Sequence, residues 1–223
     1  MKSKMALIGK NISHSRSKQV YEEILEKSIE YELLDYGKAA DIPELKELLA
    51  TYPRISITSP YKNDIFQRVD EFRDNEFDLE SVNAIKLENN KVIATNTDIK
   101  AFDKIFSQLK RTYPGQVIVL GDGNMGKMIM NYFDHYNYQY KNLSRKQKTL
   151  DYFAQEYNDE LLVINTCARD YVFNFQINEK ALLWDMNYNQ KIQKEVCEDR
   201  NIKYLDGYGL LIEQAKFALS FWN

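Results

Sequence analysis

At 223 residues the chain is long for one average domain and short for two, and with 44% hydrophobic and 28% charged residues it has the composition of a globular protein that can bury a core. A formal net charge of −3 gives no general attraction to nucleic acid or anionic membrane, and sixteen tyrosines with eleven phenylalanines exclude a disordered chain. Cys167 and Cys197 have neither C-x-x-C spacing nor histidine neighbours, which leaves reduced thiols and no metal site.

Met5 to Gly9 reads as a first strand, too short for a signal-peptide core. No later run reaches the length of a membrane span, so a cytoplasmic protein is expected. The polar segment Lys10 to Ser17 leads into a helix with Val20, Ile24 and Leu25 on its inner face and Ser17 as its N-cap. Tyr31 to Tyr36 reads as a strand, and Asp41-Ile42-Pro43-Glu44 as the capping-box start of a helix carrying Leu45, Leu48 and Leu49.

In the next strand, Arg54 to Ser59, Ile55 and Ile57 alternate with Ser56 and Thr58. Pro60 then stands where a proline can open a helix, with Lys62 in its first turn. Ile65, Phe66 and Val69 can anchor that helix from below. The positive end of a helix dipole disfavours an ammonium and inclines Lys62 to proton transfer near neutral pH. On these residues alone a solvated lysine is the plainer reading.

Val82 to Glu88 and Lys91 to Thr95 form two strands across Asn89-Asn90, a pair that tolerates the positive φ of a tight hairpin. After Asn96-Thr97 a helix begins, capped by Asp98 and carrying Phe102, Ile105, Phe106 and Leu109 on one face. A domain boundary is expected within it. Gln116 to Leu120 then starts a second series as a continuous apolar strand of the fully buried kind. Gly121-Asp122-Gly123-Asn124-Met125-Gly126 follows directly and opens a helix with Met128, Ile129, Tyr132 and Phe133, the setting in which G-x-G-x-x-G brings a pyrophosphate to a helix N-terminus. The strand Tyr138 to Leu143 ends in Ser144-Arg145-Lys146. Dinucleotide sites that prefer NAD have an acidic residue there, and Arg145 instead suits the 2′-phosphate of NADP. Strands at Leu161 to Asn165 and Leu182 to Met186, an amphipathic helix from Gln190 to Asn201, and an apolar helix from Leu210 to Trp222 after Gly207 and Gly209 complete the chain. The alternation of strands and helices predicts an α/β protein with largely parallel sheets.

Laid in order, these segments resemble the shikimate dehydrogenase family from Ala6 to Trp222. The resemblance is carried by Ile12-Ser13-His14-Ser15-Arg16-Ser17, Ser56 to Lys62, Val82-Asn83-Ala84, Asn96-Thr97-Asp98-Ile99, the glycine loop, Asp185-Met186-Asn187-Tyr188 and Gly207 to Gln214. It implies two three-layer α/β domains with a cleft between them: a substrate and catalytic domain of residues 1–100 and 207–223, and a shortened Rossmann-type NADP-binding domain of residues 101–206. It implies reversible NADPH-dependent reduction of 3-dehydroshikimate to shikimate, with Lys62 and Asp98 catalytic. Ser15, Ser17, Thr58, Asn83, Tyr188 and Gln214 would hold the substrate. Gly121, Gly123, Asn124, Met125, Gly126, Ser144, Arg145, Lys146, Met186 and Gly207 would hold the cofactor.

Taken singly, these residues have plainer readings: Ser15, Ser17 and Asp98 as helix caps, Asn83 at a strand edge, Tyr188 in a core and Gln214 on a helix surface. The chain also departs from the family pattern. Lys18 replaces a proline, Ser56 an asparagine, Ala84 a threonine and Ile99 a glycine, and Trp222-Asn223 falls where members continue into another helix. The alternatives are a dehydrogenase of quinate or a related ring acid, and a binding protein without turnover. Small molecules are the expected partners, with no nucleic acid or membrane, for a monomer or homodimer.

Overall fold

The computed structural model describes residues 4–147, 160–167, 179–188 and 191–223. It divides into two compact units, Met1–Ala101 with Leu211–Asn223, and Phe102–Leu210. Each is built on one sheet with helices, the α/β architecture expected from the alternating pattern.

In the first unit the chain runs β1 (Met5–Gly9), α1 (Ser17–Leu25), β2 (Tyr31–Asp35), α2 (Leu45–Thr51), β3 (Arg54–Ile57), α3 (Lys62–Phe66), β4 (Glu71–Phe72), β5 (Ala84–Glu88) and β6 (Lys91–Thr95). The strand order is β2-β1-β3-β5-β6-β4. β5 is antiparallel to both β3 and β6, and the other pairings are parallel. Period-2 alternation decides what each face meets. Ala6, Ile8, Ile55 and Ile57 point into a core with Leu45, Leu48 and Leu49 of α2. Ser56, in register with Leu7, faces the other way, where its hydroxyl meets Tyr21 of α1. Asn89 and Asn90 close the β5–β6 hairpin at φ 50° and 61°, the left-handed values their residue type tolerates.

Several helix starts differ from the expectation. α1 begins at Ser17, with Arg16 in the cap position, and it is Ser15 Oγ that accepts the Ser17 N–H at 3.2 Å. α2 begins at Leu45 without a capping box: Pro43 forces Ile42 into extended backbone, so Asp41 ends a separate 3-10 turn, Ala39–Asp41. Pro60 sits in a turn after a cis peptide bond rather than opening a helix, and α3 starts at Lys62. α4 (Thr97–Thr112) is capped by Asn96, whose Oδ1 accepts from the N–H groups of Asp98 at 3.0 Å and Ile99 at 3.3 Å. The Asp98 carboxylate is therefore not spent on capping.

The second unit contains β7 (Gln116–Leu120), α5 (Asn124–His135), β8 (Lys141–Leu143), β9 (Leu161–Asn165), β10 (Leu182–Asp185), α6 (Lys191–Asp199) and β11 (Lys203–Leu205). α7 (Tyr208–Trp222) begins here and ends in the first unit. The order β11-β10-β9-β7-β8 is parallel throughout, so the central strands are buried on both faces and read as unbroken apolar runs. β8 starts three residues later than expected. Asn137 turns at φ 53° and the Tyr138 N–H closes onto Phe133 O, so Tyr138 joins the aromatic cluster of Phe106, Tyr132 and Phe133 instead of the sheet. Phe102 stacks on Trp184, centroids 5.4 Å apart. Gln190 and much of the interval between Arg145 and Asn165 lie outside the described residues.

One surface network has a measurable pH signature. Arg73 and then Lys86 hold the Glu88 carboxylate down to about 2. A folded-state value below the unfolded one contributes stability above the ordinary glutamate range that is lost as pH falls towards 2. Acid titration of stability should accordingly flatten over that window in Glu88→Gln, and an unchanged profile would contradict the assignment.

Among the described residues no helix is long and apolar enough to cross a membrane, and no cluster of three or more His, Cys, Asp or Glu side chains could hold a metal ion.

Candidate active site

The first unit gathers its polar side chains at the ends of β1 and β3 and the starts of α1, α3 and α4. Lys62 opens α3, and Asp98 lies in the first turn of α4. Lys62 Nζ donates to Asp98 Oδ2, and the two side chains are only 16% and 12% exposed, shielded from bulk solvent but open to a ligand. α3 has only five residues, so the dipole argument made for Lys62 from a longer helix gives way to the neighbouring carboxylate as its main electrostatic partner.

Asn83 precedes β5 and is almost fully buried. Its N–H donates to Thr95 O and its carbonyl accepts from Ile57 N–H. Its side chain is engaged with Thr97: Oδ1 accepts the Thr97 N–H at 2.6 Å, and Nδ2 donates to Thr97 Oγ1 at 2.9 Å. Thr97 Oγ1 passes the chain on to Gln214 Oε1 of α7 at 3.3 Å. The structure thus joins Asn83 and Gln214 through Thr97, to which sequence reasoning gave no role. Its signal was its place beside Asp98 in N-T-D.

On the loop after β1, Ser15 and Ser17 are half-buried with their hydroxyls 3.1 Å apart. The Asp35 carboxylate fixes the start of that loop by accepting the N–H groups of Asn11 and Ile12. Thr58, half-buried, donates its N–H to Ile8 O. Gly9 is the only residue that fits beneath it, since a Cβ there would lie 2.5 Å from Cγ2 of both Thr58 and Ile12. On the inner face of α1 Val20 is buried as expected and Ile24 and Leu25 are half-buried; Tyr21, which the apolar periodicity passed over, is also buried, with its hydroxyl 3.1 Å from Ser56 Oγ.

In the second unit the glycine loop has the shape of a dinucleotide cradle. Gly121 adopts φ +98°, and Gly126 comes so close that a Cβ on it would lie 2.7 Å from Gly121 O. Above Gly123, at the cap of α5, a Cβ would meet nothing within 4 Å, which leaves room for a phosphate at the helix N-terminus. Asn124 is exposed and Met125 half-buried in the first turn. The end of β8 lies beside this loop: Gly121 N–H donates to Leu143 O, Ser144 is buried, and Arg145 and Lys146 are exposed. Lys146 Nζ stands 3.8 Å from the Asp122 carboxylate, so that loop charge turns towards a cation.

Past β10, Met186 and Tyr188 are half-buried, and a Cβ on Gly207 would lie 2.2 Å from Met186 O, a close approach that demands glycine. Asp185 organises this corner. Fully buried, its Oδ1 accepts from Asn165 Nδ2 and from both the N–H and Nδ2 of Asn187, and its Oδ2 accepts from Tyr204. Burial pushes its carboxyl above the ordinary range, and these donors pull it part of the way back.

No family model matches the chain. It is 26% identical over 248 residues to a protein of Clostridium beijerinckii named shikimate dehydrogenase (NADP(+)), covering 97% of this chain and 90% of that protein. A protein of the same name from Oceanobacillus iheyensis is 26% identical over 255 residues, covering 98% and 91%. Among solved structures, the fold matches shikimate 5-dehydrogenase from Thermus thermophilus in complex with NADP(H) and shikimate, at TM-score 0.78 and 18% identity over 99% of this chain and 93% of that one.

Proposed function

From its nearly full-length similarity to shikimate dehydrogenases in sequence and fold, we propose that the protein is an NADP-dependent shikimate dehydrogenase that reversibly reduces 3-dehydroshikimate to shikimate. The observation that carries this reading is the Lys62–Asp98 pair, largely shielded yet accessible and flanked by hydroxyl and amide side chains. NADPH, when bound, supplies the hydride. The protein's own part is to orient the ring and to manage one proton. As the carbonyl oxygen gains negative charge, the Lys62 ammonium stabilises it and gives up a proton, and in the reverse direction the amine takes one back. Asp98, which accepts from Lys62 Nζ, keeps that ammonium aimed. Ser15 and Ser17 receive the substrate carboxylate, and Thr58, Asn83, Tyr188 and Gln214 its hydroxyls and ring face. Gly121, Gly123, Asn124, Met125 and Gly126 receive the pyrophosphate, Ser144, Arg145 and Lys146 the adenosine end, and Met186 and Gly207 the nicotinamide. The protein works in the cytoplasm, as a monomer or homodimer, on small molecules alone.

Two measurements test this. Turnover with shikimate set beside quinate and an amino analogue decides the ring acid, and a preference for quinate would replace the reading with the paralogue. Calorimetric titration decides the cofactor: Arg145→Ala should weaken NADP binding by roughly ten- to a hundredfold, the worth of one charge-assisted hydrogen bond, with little effect on NAD. Equal losses for both would remove Arg145 from the 2′-phosphate.

A further inference from the structure

Lys62 and Asp98 stand 36 residues apart in the chain, each at the start of its own helix, and neither helix sets the distance between them. α3 is little more than one turn and has no side-chain cap, so its five residues need support from outside to hold Lys62 in place. That support is the segment of residues 80–82, whose backbone bonds to both helix starts. Glu80 O accepts from Asn63 Nδ2 of α3 at 2.8 Å, Ser81 O accepts from Asn96 Nδ2 at the cap of α4 at 2.9 Å, and the Val82 N–H donates to Lys62 O at 3.2 Å. Val82 is fully buried and shares a core cluster with Tyr61 and Ile65, which anchors the segment beneath α3.

Asn96 does two things at once. Its Oδ1 accepts the N–H groups of Asp98 and Ile99, which leaves its Nδ2 to face a carbonyl, and that carbonyl is Ser81 O. One amide therefore ties the start of α4, with Asp98 in it, to the same three residues that Asn63 and the Lys62 carbonyl tie to α3.

We propose that residues 80–82 are a brace that sets Lys62 against Asp98, and that Asn63 and Asn96 are positioning residues that act on the reaction through it. A lysine ammonium rides on a flexible four-carbon stem, and it stays on one carboxylate oxygen only while the two backbones keep a matching separation. A misplacement of about 1 Å is enough to cost such a group much of its effect on rate. The proposal rests on the dehydrogenase reading for the reaction that Lys62 serves, and on the geometry alone for the pairing.

The test measures kcat and KM for shikimate with NADP, calorimetric affinity for shikimate, and competitive acetylation of the lysines read by mass spectrometry. The proteins are the wild type, Asn63→Ala, Asn63→Gln, Asn96→Ser, and Lys62→Ala with and without Asn63→Ala, with melting curves to establish that each is folded. Asn63 is exposed, where an ordinary substitution changes little, yet Asn63→Ala should lower kcat about tenfold with shikimate affinity nearly unchanged. Asn63→Gln keeps the donor and should recover most of that rate. Asn96→Ser keeps a capping oxygen but is too short to reach Ser81 O as well, and should lower kcat by about the same factor. In both slowed variants Lys62 should be acetylated several-fold faster, because its amine leaves the charge that favours the ammonium, while the exposed Lys38 reacts as before. Added to Lys62→Ala, Asn63→Ala should cost nothing further, since it acts only through Lys62. An unchanged kcat or an unchanged Lys62 acetylation rate in Asn63→Ala, or losses from Lys62→Ala and Asn63→Ala that multiply, would overturn the brace. A wild type that binds shikimate without turnover would defeat the dehydrogenase reading alone, and the acetylation rates would still decide the brace.

Discussion

Lys62→Ala is expected to lower kcat by roughly 10²–10⁴-fold, the usual worth of a positioned proton-transfer group. The loss should fall on kcat more than on KM, because Lys62 acts on charge that develops only as the carbonyl is reduced. Lys62→Arg separates its two tasks. A guanidinium keeps the positive charge beside Asp98 but does not give up a proton in the working pH range, so a variant nearly as slow as alanine would identify proton transfer as the essential step. Arginine activity close to that of the wild type would instead assign Lys62 to charge stabilisation. Both variants leave or alter a partly buried charge at Asp98, and melting curves should accompany the kinetics so that loss of fold is not read as loss of chemistry.

Asp185→Ala should strongly destabilise the second unit. It strips the acceptor from Asn165, from two N–H groups of Asn187 and from Tyr204. At about 1–3 kcal/mol for each donor left buried without a partner, the total reaches a few kcal/mol even if Tyr204 turns to water and Asn187 Nδ2 keeps its bond to Cys167 O. Denaturant unfolding checks this, and a change within about 0.5 kcal/mol, the range of an ordinary surface substitution, would contradict it. The same residue predicts a pH effect opposite in sign to that of Glu88. Because burial raises the Asp185 carboxyl, ionisation is penalised in the folded state. That penalty is present above the raised folded-state value and relieved as pH falls through it towards the ordinary aspartate range. Since the Asp185 donors also shape the backbone at Met186 and Asn187, Asp185→Ala should weaken NADP binding in calorimetry as well.

The two sheets were legible because their strands are short, apolar and well punctuated. The unbroken runs of β7, β9 and β10 and the Asn89-Asn90 hairpin left little choice of period or turn. The helix starts were less legible, because a cap is a competition among neighbouring side chains that sequence does not decide. Asn96 displaced Asp98 at α4, Ser15 took the place given to Ser17 at α1, and Pro43 broke the box expected at α2. The site was read as separate motifs, and what was missed is what joins them. Thr97 connects Asn83 to Gln214, and Tyr21 connects α1 to Ser56. Both are residues that apolar periodicity passes over, since a hydroxyl at the tip of a buried side chain does not change the hydrophobic pattern. Asp185 was quoted within a motif, but its role as a four-donor acceptor depends on Asn165 and Tyr204, brought to it only by the register of β9, β10 and β11.

The most direct measurement is the growth of reduced-nicotinamide absorbance when the purified protein meets shikimate and NADP. Turnover that is faster with NADP than with NAD and roughly a hundredfold or more slower in Lys62→Ala is the predicted result. A folded protein that binds NADPH and shikimate but transfers no hydride, or one whose turnover is little changed by the loss of Lys62, would contradict the account.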